Sequence, residues 1–234
     1  MKFIKPSYDE VRSNAMELYG KLQGSGWLPD VNVGVGRGGL FVLRCLQDFY
    51  IAAGVKIPYI VPSVERYAGI NSVHKIRIKH LGKRDIEGRR VLIVDDVSDQ
   101  GDSLIKMVDS VKKRGAREVK TATIHFKPWS KLKPDYYVKE TDAWIIYPWE
   151  LYETIRLLVE RSSNAPAQEA YEELAEDAHI TEDEFLSFCS VALGSSALPD
   201  ETQLRIRRIR ELYEAGRGSR GTVQKSFNPS SANS

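Results

Sequence analysis

Residues 91–103 read Val91-Leu92-Ile93-Val94-Asp95-Asp96-Val97-Ser98-Asp99-Gln100-Gly101-Asp102-Ser103. Four consecutive branched apolar residues are typical of a strand that is buried on both faces, as in a parallel sheet. Two carboxylates and a short Ser/Asp/Gly loop follow, and apolar residues at helical spacing then run to Val111. The loop is therefore expected at a helix N-terminus, where free backbone N–H groups and the helix dipole favour a phosphate.

The two carboxylates suit a sugar or a metal ion. Asp95 and Asp96 can accept hydrogen bonds from vicinal hydroxyls or bind Mg²⁺ through oxygen. A strand that ends in sugar-binding acids and leads into a phosphate-binding loop indicates a site for a ribose 5-phosphate.

A second glycine-rich turn occurs earlier in the chain. Gly36-Arg37-Gly38-Gly39 lies between a short apolar strand at 31–35 and an apolar helix. Glycines let the backbone approach an anion closely, and Arg37 adds a charge and a bidentate donor. We therefore expect a second anion site here.

Residues 91–103 resemble the phosphoribosyl pyrophosphate (PRPP) motif of type I phosphoribosyltransferases. The resemblance implies that Asp95 and Asp96 hold the ribose hydroxyls, with Mg²⁺ held mainly by PRPP, and that Asp99 is the general acid/base. It implies a 5′-phosphate loop made of Ser98, Asp99, Gln100, Gly101, Asp102 and Ser103. The family pattern usually ends Asp-Thr-Gly-x-Thr, so Gln100 and Asp102 depart from it. The Asp102 carboxylate is unfavourable beside a phosphate unless it turns away to cap the helix.

Two further stretches are similar to parts of the same family. Gly36, Arg37, Gly38 and Gly39 resemble the pyrophosphate loop, which in 6-oxopurine members often reads Arg-Gly-Gly and often has a cis peptide. The resemblance implies that Arg37 stabilises the pyrophosphate. The polar and basic residues 65–88 correspond to the hood that closes over PRPP, where Arg66-Tyr67 takes the place of a Ser-Tyr pair.

The purine site is implied by a third resemblance. Lys127-Pro128, followed by the stretch Trp144 to Glu150, is similar to the pattern of xanthine-guanine phosphoribosyltransferases. In that pattern the lysine contacts the exocyclic atom at purine C6, the first aromatic (here Trp144) stacks on the base, and Ile145 lends backbone groups. The resemblance implies purine salvage: a purine attacks C1′ of PRPP and yields a nucleoside 5′-monophosphate and pyrophosphate.

Two observations bear on which purine base the protein prefers, and they point to different bases. Lys127 is a pure donor, which suits the carbonyl of a 6-oxopurine (hypoxanthine, guanine or xanthine). Residues 151–215 are expected to form added helices. A helical bundle after the core resembles the architecture of a branch of the family in crenarchaeal archaea, and that branch includes adenine-using members. We give the bundle slightly more weight and predict adenine, with a 6-oxopurine as the alternative.

The predicted fold is an open, doubly wound α/β sheet, mainly parallel, followed by a C-terminal helical bundle. The predicted domains are a phosphoribosyltransferase domain at 1–150, the bundle at 151–215 and a disordered Gly/Ser/Asn-rich tail at 216–234. The resemblance also implies a homodimer.

A rival from another class is a PRPP-sensing DNA-binding regulator, because residues 174–181 look like the turn of a helix-turn-helix. However, the helix after it begins with Glu182, Asp183 and Glu184 and has no Lys or Arg through Leu193. Acids at that position repel DNA phosphates. The net charge of +2 also gives no support for a nucleic-acid partner.

The composition sets the remaining expectations. Hydrophobic content is 42% without a long apolar run, which predicts no membrane span. Cys45 and Cys189 lie far apart in apolar helical stretches, so we expect buried free thiols and a reducing cytoplasm.

Overall fold

The computed structural model describes residues 2–68 and 74–221. Its strands are β1 (Phe3–Ile4), β2 (Val31–Gly34), β3 (Tyr59–Ile60), β4 (Ser63–Ala68), β5 (His74–Lys79), β6 (Arg90–Ser98), β7 (Glu118–Phe126), β8 (Tyr136–Glu140) and β9 (Trp144–Ile145). Its α-helices are α1 (Tyr8–Gly24), α2 (Gly39–Ala52), α3 (Asp102–Lys112), α4 (Leu151–Arg161), α5 (Ala167–Glu172), α6 (Glu182–Ala192) and α7 (Asp200–Gly221). A π-helical segment, Glu173–Asp177, follows α5 directly.

The chain forms two compact units, Ser7–Asp142 and Met1–Pro6 together with Ala143–Ser234. The first unit is built on a five-stranded sheet in the order β3-β2-β6-β7-β8. Each neighbouring pair of these strands is parallel. The predicted α/β fold with a mainly parallel sheet is therefore confirmed.

Strand β6 forms the centre of this sheet, and its four consecutive apolar residues, Val91 to Val94, have no exposed surface. Val91 and Ile93 belong to one apolar cluster with Leu104 and Met107 of α3. Leu92 and Val94 alternate with them and are buried on the opposite face, as the period of a strand requires. Both faces of β6 are thus covered, which explains its uninterrupted apolar run.

Strands β4 and β5 form a separate antiparallel hairpin in the same unit. Arg66 and Tyr67, the predicted hood residues, lie on β4, where their backbone pairs with Ile76 and Lys75. Residues 69–73 of the predicted hood lie outside the described residues.

The second unit holds the C-terminal helices. Ile155, Leu174, Phe185 and Ile206 belong to one buried cluster that draws on α4, the π-helical segment, α6 and α7. Helix α6 begins with a capping box between Thr181 and Glu184. Its first turn is acidic, which gives the DNA-binding alternative no support.

The structure divides the chain differently from the predicted bounds of 1–150, 151–215 and 216–234. Phe3 pairs with Trp144 in the β1–β9 ladder, and Phe3 and Ile146 lie in the core of the helical unit. The first six residues and those from Ala143 onward therefore belong with the helices.

The predicted tail also begins too early, because α7 continues to Gly221. A packed helix extends at one hydrogen bond per added residue, so it can pass the last apolar position. Residues 222–234 of the predicted tail lie outside the described residues. Within residues 2–68 and 74–221, none of the helices combines the length and the apolar character that a membrane span needs.

Candidate active site

Two turns lie at one edge of the parallel sheet. Strands β2 and β6 are parallel neighbours, with Gly34 paired to Val94, and each leads through a turn into a helix. The β2–α2 turn contains Gly36–Gly39 and the β6–α3 turn contains residues 99–101. In open α/β sheets this edge, at the carboxyl ends of the strands, is where ligands bind.

Asp95 and Asp96 are the acids of this edge. They lie within β6 and keep only 8% and 6% of their surface exposed. An Asp95 carboxylate oxygen accepts from the Asp96 N–H at 3.0 Å, and one of Asp96 accepts from the Val97 N–H at 2.8 Å. Each carboxylate is thereby held by the backbone N–H of the residue that follows it.

The β2–α2 turn packs directly against these acids. A Cβ atom at Gly38 would lie 1.7 Å from Asp96 Oδ2, and one at Gly39 would lie 2.5 Å from the Val94 carbonyl oxygen. Neither position has room for a side chain. The Gly36–Arg37 peptide bond is cis, as the resemblance implies, and Arg37 is exposed.

The β6–α3 turn is held by a second segment, residues 127–132, which we call the covering segment. The Ser98 hydroxyl donates to the Leu132 carbonyl at 2.8 Å and lies 2.9 Å from the Ser130 hydroxyl. The Lys131 N–H donates to the Gln100 carbonyl at 3.2 Å. Gly101 has φ of 82° and caps α3, and a Cβ there would lie 2.9 Å from the Leu132 nitrogen.

Asp102 does not turn away to cap α3. The N-cap is Gly101, and Asp102 is the first helical residue. Its carboxylate instead accepts from the Lys131 ammonium at 2.8 Å. Lys131 offsets the negative charge that departs from the family pattern, and no short-range sequence signal links two residues so far apart in the chain.

Lys127 lies where β7 ends, beside the PRPP motif. Its N–H donates to the Ser98 carbonyl at 3.0 Å, and the residue is 5% exposed. Burial lowers the pKa of Lys127, while the carboxylates of Asp99 and Asp142 act in the opposite direction. The predicted base-binding lysine and the predicted general acid/base are therefore close enough to interact.

Trp129 joins these two residues and was not singled out from the sequence. Its indole Nε1–H donates to Asp99 Oδ1 at 3.2 Å. The Lys127 ammonium lies 5.4 Å from the centroid of the Trp129 ring, within cation–π range. The position of Trp129 directly after Lys127-Pro128 was the available signal.

His125 is a buried polar residue of the same strand end. Burial, with smaller effects from Lys139 and Lys127, lowers its pKa to about 4. The imidazole is therefore neutral at neutral pH and adds no positive charge beside Lys127.

The other predicted base residues, Trp144 and Ile145, belong to the second unit. The Trp144 side chain is 38% exposed, and the backbone N–H of Trp144 donates to the Lys2 carbonyl at 2.8 Å. Ile145 pairs with Ile4 and is buried. Their base contacts, like the hood roles of Arg66 and Tyr67, stay predictions.

The family described as phosphoribosyl transferase domain matches residues 3–154. The chain belongs to this family, and the type I resemblance drawn from residues 36–39 and 91–103 is confirmed. The protein is thus a phosphoribosyltransferase.

Individual relatives agree with the family assignment. A hypoxanthine-guanine phosphoribosyltransferase of Streptococcus pneumoniae is 32% identical over 130 residues, which are 55% of this chain and 71% of the relative. A solved structure of a purine phosphoribosyltransferase from Pyrococcus horikoshii is 37% identical with a TM-score of 0.55, over 64% of this chain and 95% of that chain. A xanthine-guanine-hypoxanthine phosphoribosyltransferase of Helicobacter pylori, at 21% identity and a TM-score of 0.50 over 65% and 95% of the two chains, shares the fold.

Proposed function

We propose that this protein transfers the phosphoribosyl group of PRPP to a 6-oxopurine, giving a nucleoside 5′-monophosphate and pyrophosphate. The observation that carries the proposal is Lys127, a buried donor that approaches Asp99 at the end of the strand next to the PRPP motif. A lysine ammonium can donate to a purine carbonyl but cannot accept from an amino group.

The adenine preference predicted from the added bundle is not supported by the relatives. The curated relatives from Streptococcus are named hypoxanthine-guanine phosphoribosyltransferases, and they favour the 6-oxopurine alternative. These relatives are bacterial, whereas the 37% identical purine phosphoribosyltransferase comes from Pyrococcus horikoshii, so the archaeal branch stays a prediction. The prediction of adenine rested only on the overall architecture of the bundle, whereas the prediction of a 6-oxopurine rests on Lys127, which would contact the base itself.

The roles of the site residues follow from their chemistry. Asp95 and Asp96 accept from the ribose hydroxyls, and the turn from Ser98 to Ser103 binds the 5′-phosphate through backbone N–H groups at the start of α3. Arg37 and the glycines beside it bind the pyrophosphate, whose charge grows as the C1′–O bond breaks. Asp99 accepts a proton from the imidazole edge of the purine as its nitrogen attacks C1′.

Mg²⁺ is the expected cofactor, and the donors present fit an ion held mainly by PRPP. Among the described residues, no group of three or more His, Cys, Asp or Glu side chains could hold a metal ion by itself. Asp95 and Asp96 supply carboxylate oxygens, which Mg²⁺ prefers, as one part of its shell. When bound, the ion would neutralise negative charge on the pyrophosphate.

We also expect the cytoplasm as the place of the reaction and a homodimer as the assembly. Cys45 and Cys189 are free thiols, which a reducing compartment maintains. Sedimentation of the purified protein as a monomer would contradict the dimer.

The proposed base is tested by measuring kcat/KM with PRPP, Mg²⁺ and each of hypoxanthine, guanine, xanthine and adenine. We expect turnover of a 6-oxopurine and rejection of adenine by roughly 10³-fold or more, because the amino group of adenine cannot accept a hydrogen bond from Lys127. Efficient turnover of adenine alone would contradict the 6-oxopurine proposal, and no turnover of any purine would contradict the function as a whole.

Asp99→Asn tests the proton transfer. We expect kcat to fall by about 10²-fold or more, because the amide cannot take up the proton. Asp109→Asn is a matched control, since it neutralises an exposed carboxylate on α3. Wild-type kcat in Asp99→Asn would remove Asp99 from the acid/base role.

A further inference from the structure

Trp129 is a large aromatic residue at the surface of the site, with 49% of its surface exposed. Its two contacts reach the two residues that the proposed function assigns to the purine. The indole N–H donates to Asp99, and the ring lies under the Lys127 ammonium. An exposed tryptophan by itself needs no explanation, but one that contacts both Asp99 and Lys127 does.

The backbone around Trp129 is fixed to the β6–α3 turn. Lys127 donates to the Ser98 carbonyl at 3.0 Å, and Lys131 donates to the Gln100 carbonyl at 3.2 Å. Within the covering segment, the Ser130 N–H donates back to the Lys127 carbonyl at 2.9 Å. Trp129 therefore projects from a short turn that is anchored on either side of Asp99.

We infer that Trp129 is a positioning residue that orients the Asp99 carboxylate for proton transfer and holds Lys127 toward the base. The inference rests on the proposed function. The indole keeps its own hydrogen and engages Oδ1, which assigns the purine proton to Oδ2. The proton leaves the imidazole edge of the purine as the bond from purine nitrogen to C1′ forms and the bond to pyrophosphate breaks.

The two contacts predict separate kinetic effects. The indole N–H holds Oδ1 of the Asp99 carboxylate, so its loss should lower kcat because the proton acceptor is no longer oriented. The ring face attracts the ammonium of Lys127 through its quadrupole, so its loss should weaken purine binding. Trp129→Phe removes the N–H and keeps an aromatic ring, and Trp129→Leu removes both the N–H and the ring.

The test measures kcat and the KM values for PRPP and for the best 6-oxopurine. For Trp129→Phe we expect kcat to fall about 3- to 10-fold, with KM for PRPP unchanged. For Trp129→Leu we expect, in addition, a severalfold higher KM for the purine. In an Asp99→Asn background, Trp129→Phe should cause no further loss of kcat.

Trp27→Phe is the matched control, because the Lys120 ammonium lies 4.9 Å from the Trp27 ring centroid, in the same kind of contact. It should keep the wild-type kcat and KM values. If kcat of Trp129→Phe also equals that of the active wild type, the inference is overturned and the proposed function stands. A wild-type protein that transfers phosphoribose to no purine overturns both.

Discussion

The two turns at the strand ends of the first unit are built by opposite means. The β2–α2 turn is held by close steric packing, which we call exclusion, because at Gly38 and Gly39 the neighbouring strand leaves no space for a Cβ atom. The β6–α3 turn is held by polar contacts, which we call attachment: hydrogen bonds and an ion pair join it to the covering segment. Steric fit against a buried strand tolerates no change, whereas exposed polar attachments can be exchanged at small cost. The difference therefore predicts a hierarchy of sensitivity to substitution.

Gly39→Ala should have the largest effect. The added methyl group would meet the Val94 carbonyl oxygen at 2.5 Å and the Asp95 Cα at 2.9 Å, both in the backbone of the central strand. Moving that strand should cost about 3 kcal/mol of unfolding free energy, and displacing Asp95 should lower kcat/KM for PRPP by at least ~10²-fold. Urea unfolding and steady-state kinetics measure the two effects.

Gly20→Ala is the control for this substitution. Gly20 lies in α1 with nothing within 4 Å of a Cβ, so alanine should stabilise the helix by up to ~1 kcal/mol. If Gly39→Ala were as stable and active as Gly20→Ala, exclusion would not describe the β2–α2 turn.

Gly101→Ala should have an intermediate effect. The residue has φ of +82°, and its Cβ would lie 2.8 Å from the Ser130 hydroxyl and 2.9 Å from the Leu132 nitrogen. We expect a cost of ~2 kcal/mol, made of backbone strain and displacement of the covering segment, and a rise of about tenfold in KM for PRPP. Thermal unfolding and PRPP titration provide the measurements.

Gly54→Ala separates strain from contact. Gly54 has φ of +74° and nothing within 4 Å of a Cβ, so its substitution introduces the strain alone. Gly101→Ala should be the more destabilising of the two. Equal losses in both variants would mean that the covering segment does not press on Gly101.

Local patterns were enough to predict the parallel sheet and both turns. The apolar run before Asp95 requires burial on both faces, and glycines between a strand and a helix indicate a close approach. Contacts between distant segments were beyond such patterns. Phe3 pairs with Trp144 through strands of only two residues, which show no periodicity, so the first residues were assigned to the wrong unit.

The same limit hid part of the site. Trp129 and Asp99 are 30 residues apart in the chain and meet because the turn after β7 folds back over the turn after β6. Asp102 is a second residue whose long-range contact the local sequence does not show. From the local sequence its carboxylate was expected to be unfavourable beside a phosphate unless it capped the helix, and only the fold reveals that Lys131 balances it.

Lys131→Met should have the smallest effect. Its ion pair with Asp102 is more than half exposed on both sides, and such pairs contribute less than ~1 kcal/mol to stability because water and salt screen them. The effect should appear instead in PRPP binding. An unbalanced Asp102 carboxylate at the start of α3 repels the incoming phosphate, so KM for PRPP should rise roughly threefold at low ionic strength and less at high salt.

Lys56→Met, which removes an exposed lysine before β3, controls for the change in net charge and should leave KM unaltered. The double variant Asp102→Asn with Lys131→Met should return KM toward the wild-type value, because neither charge remains. A double variant as impaired as Lys131→Met alone would mean that Lys131 contacts PRPP itself, and attachment through this pair would then not describe the β6–α3 turn.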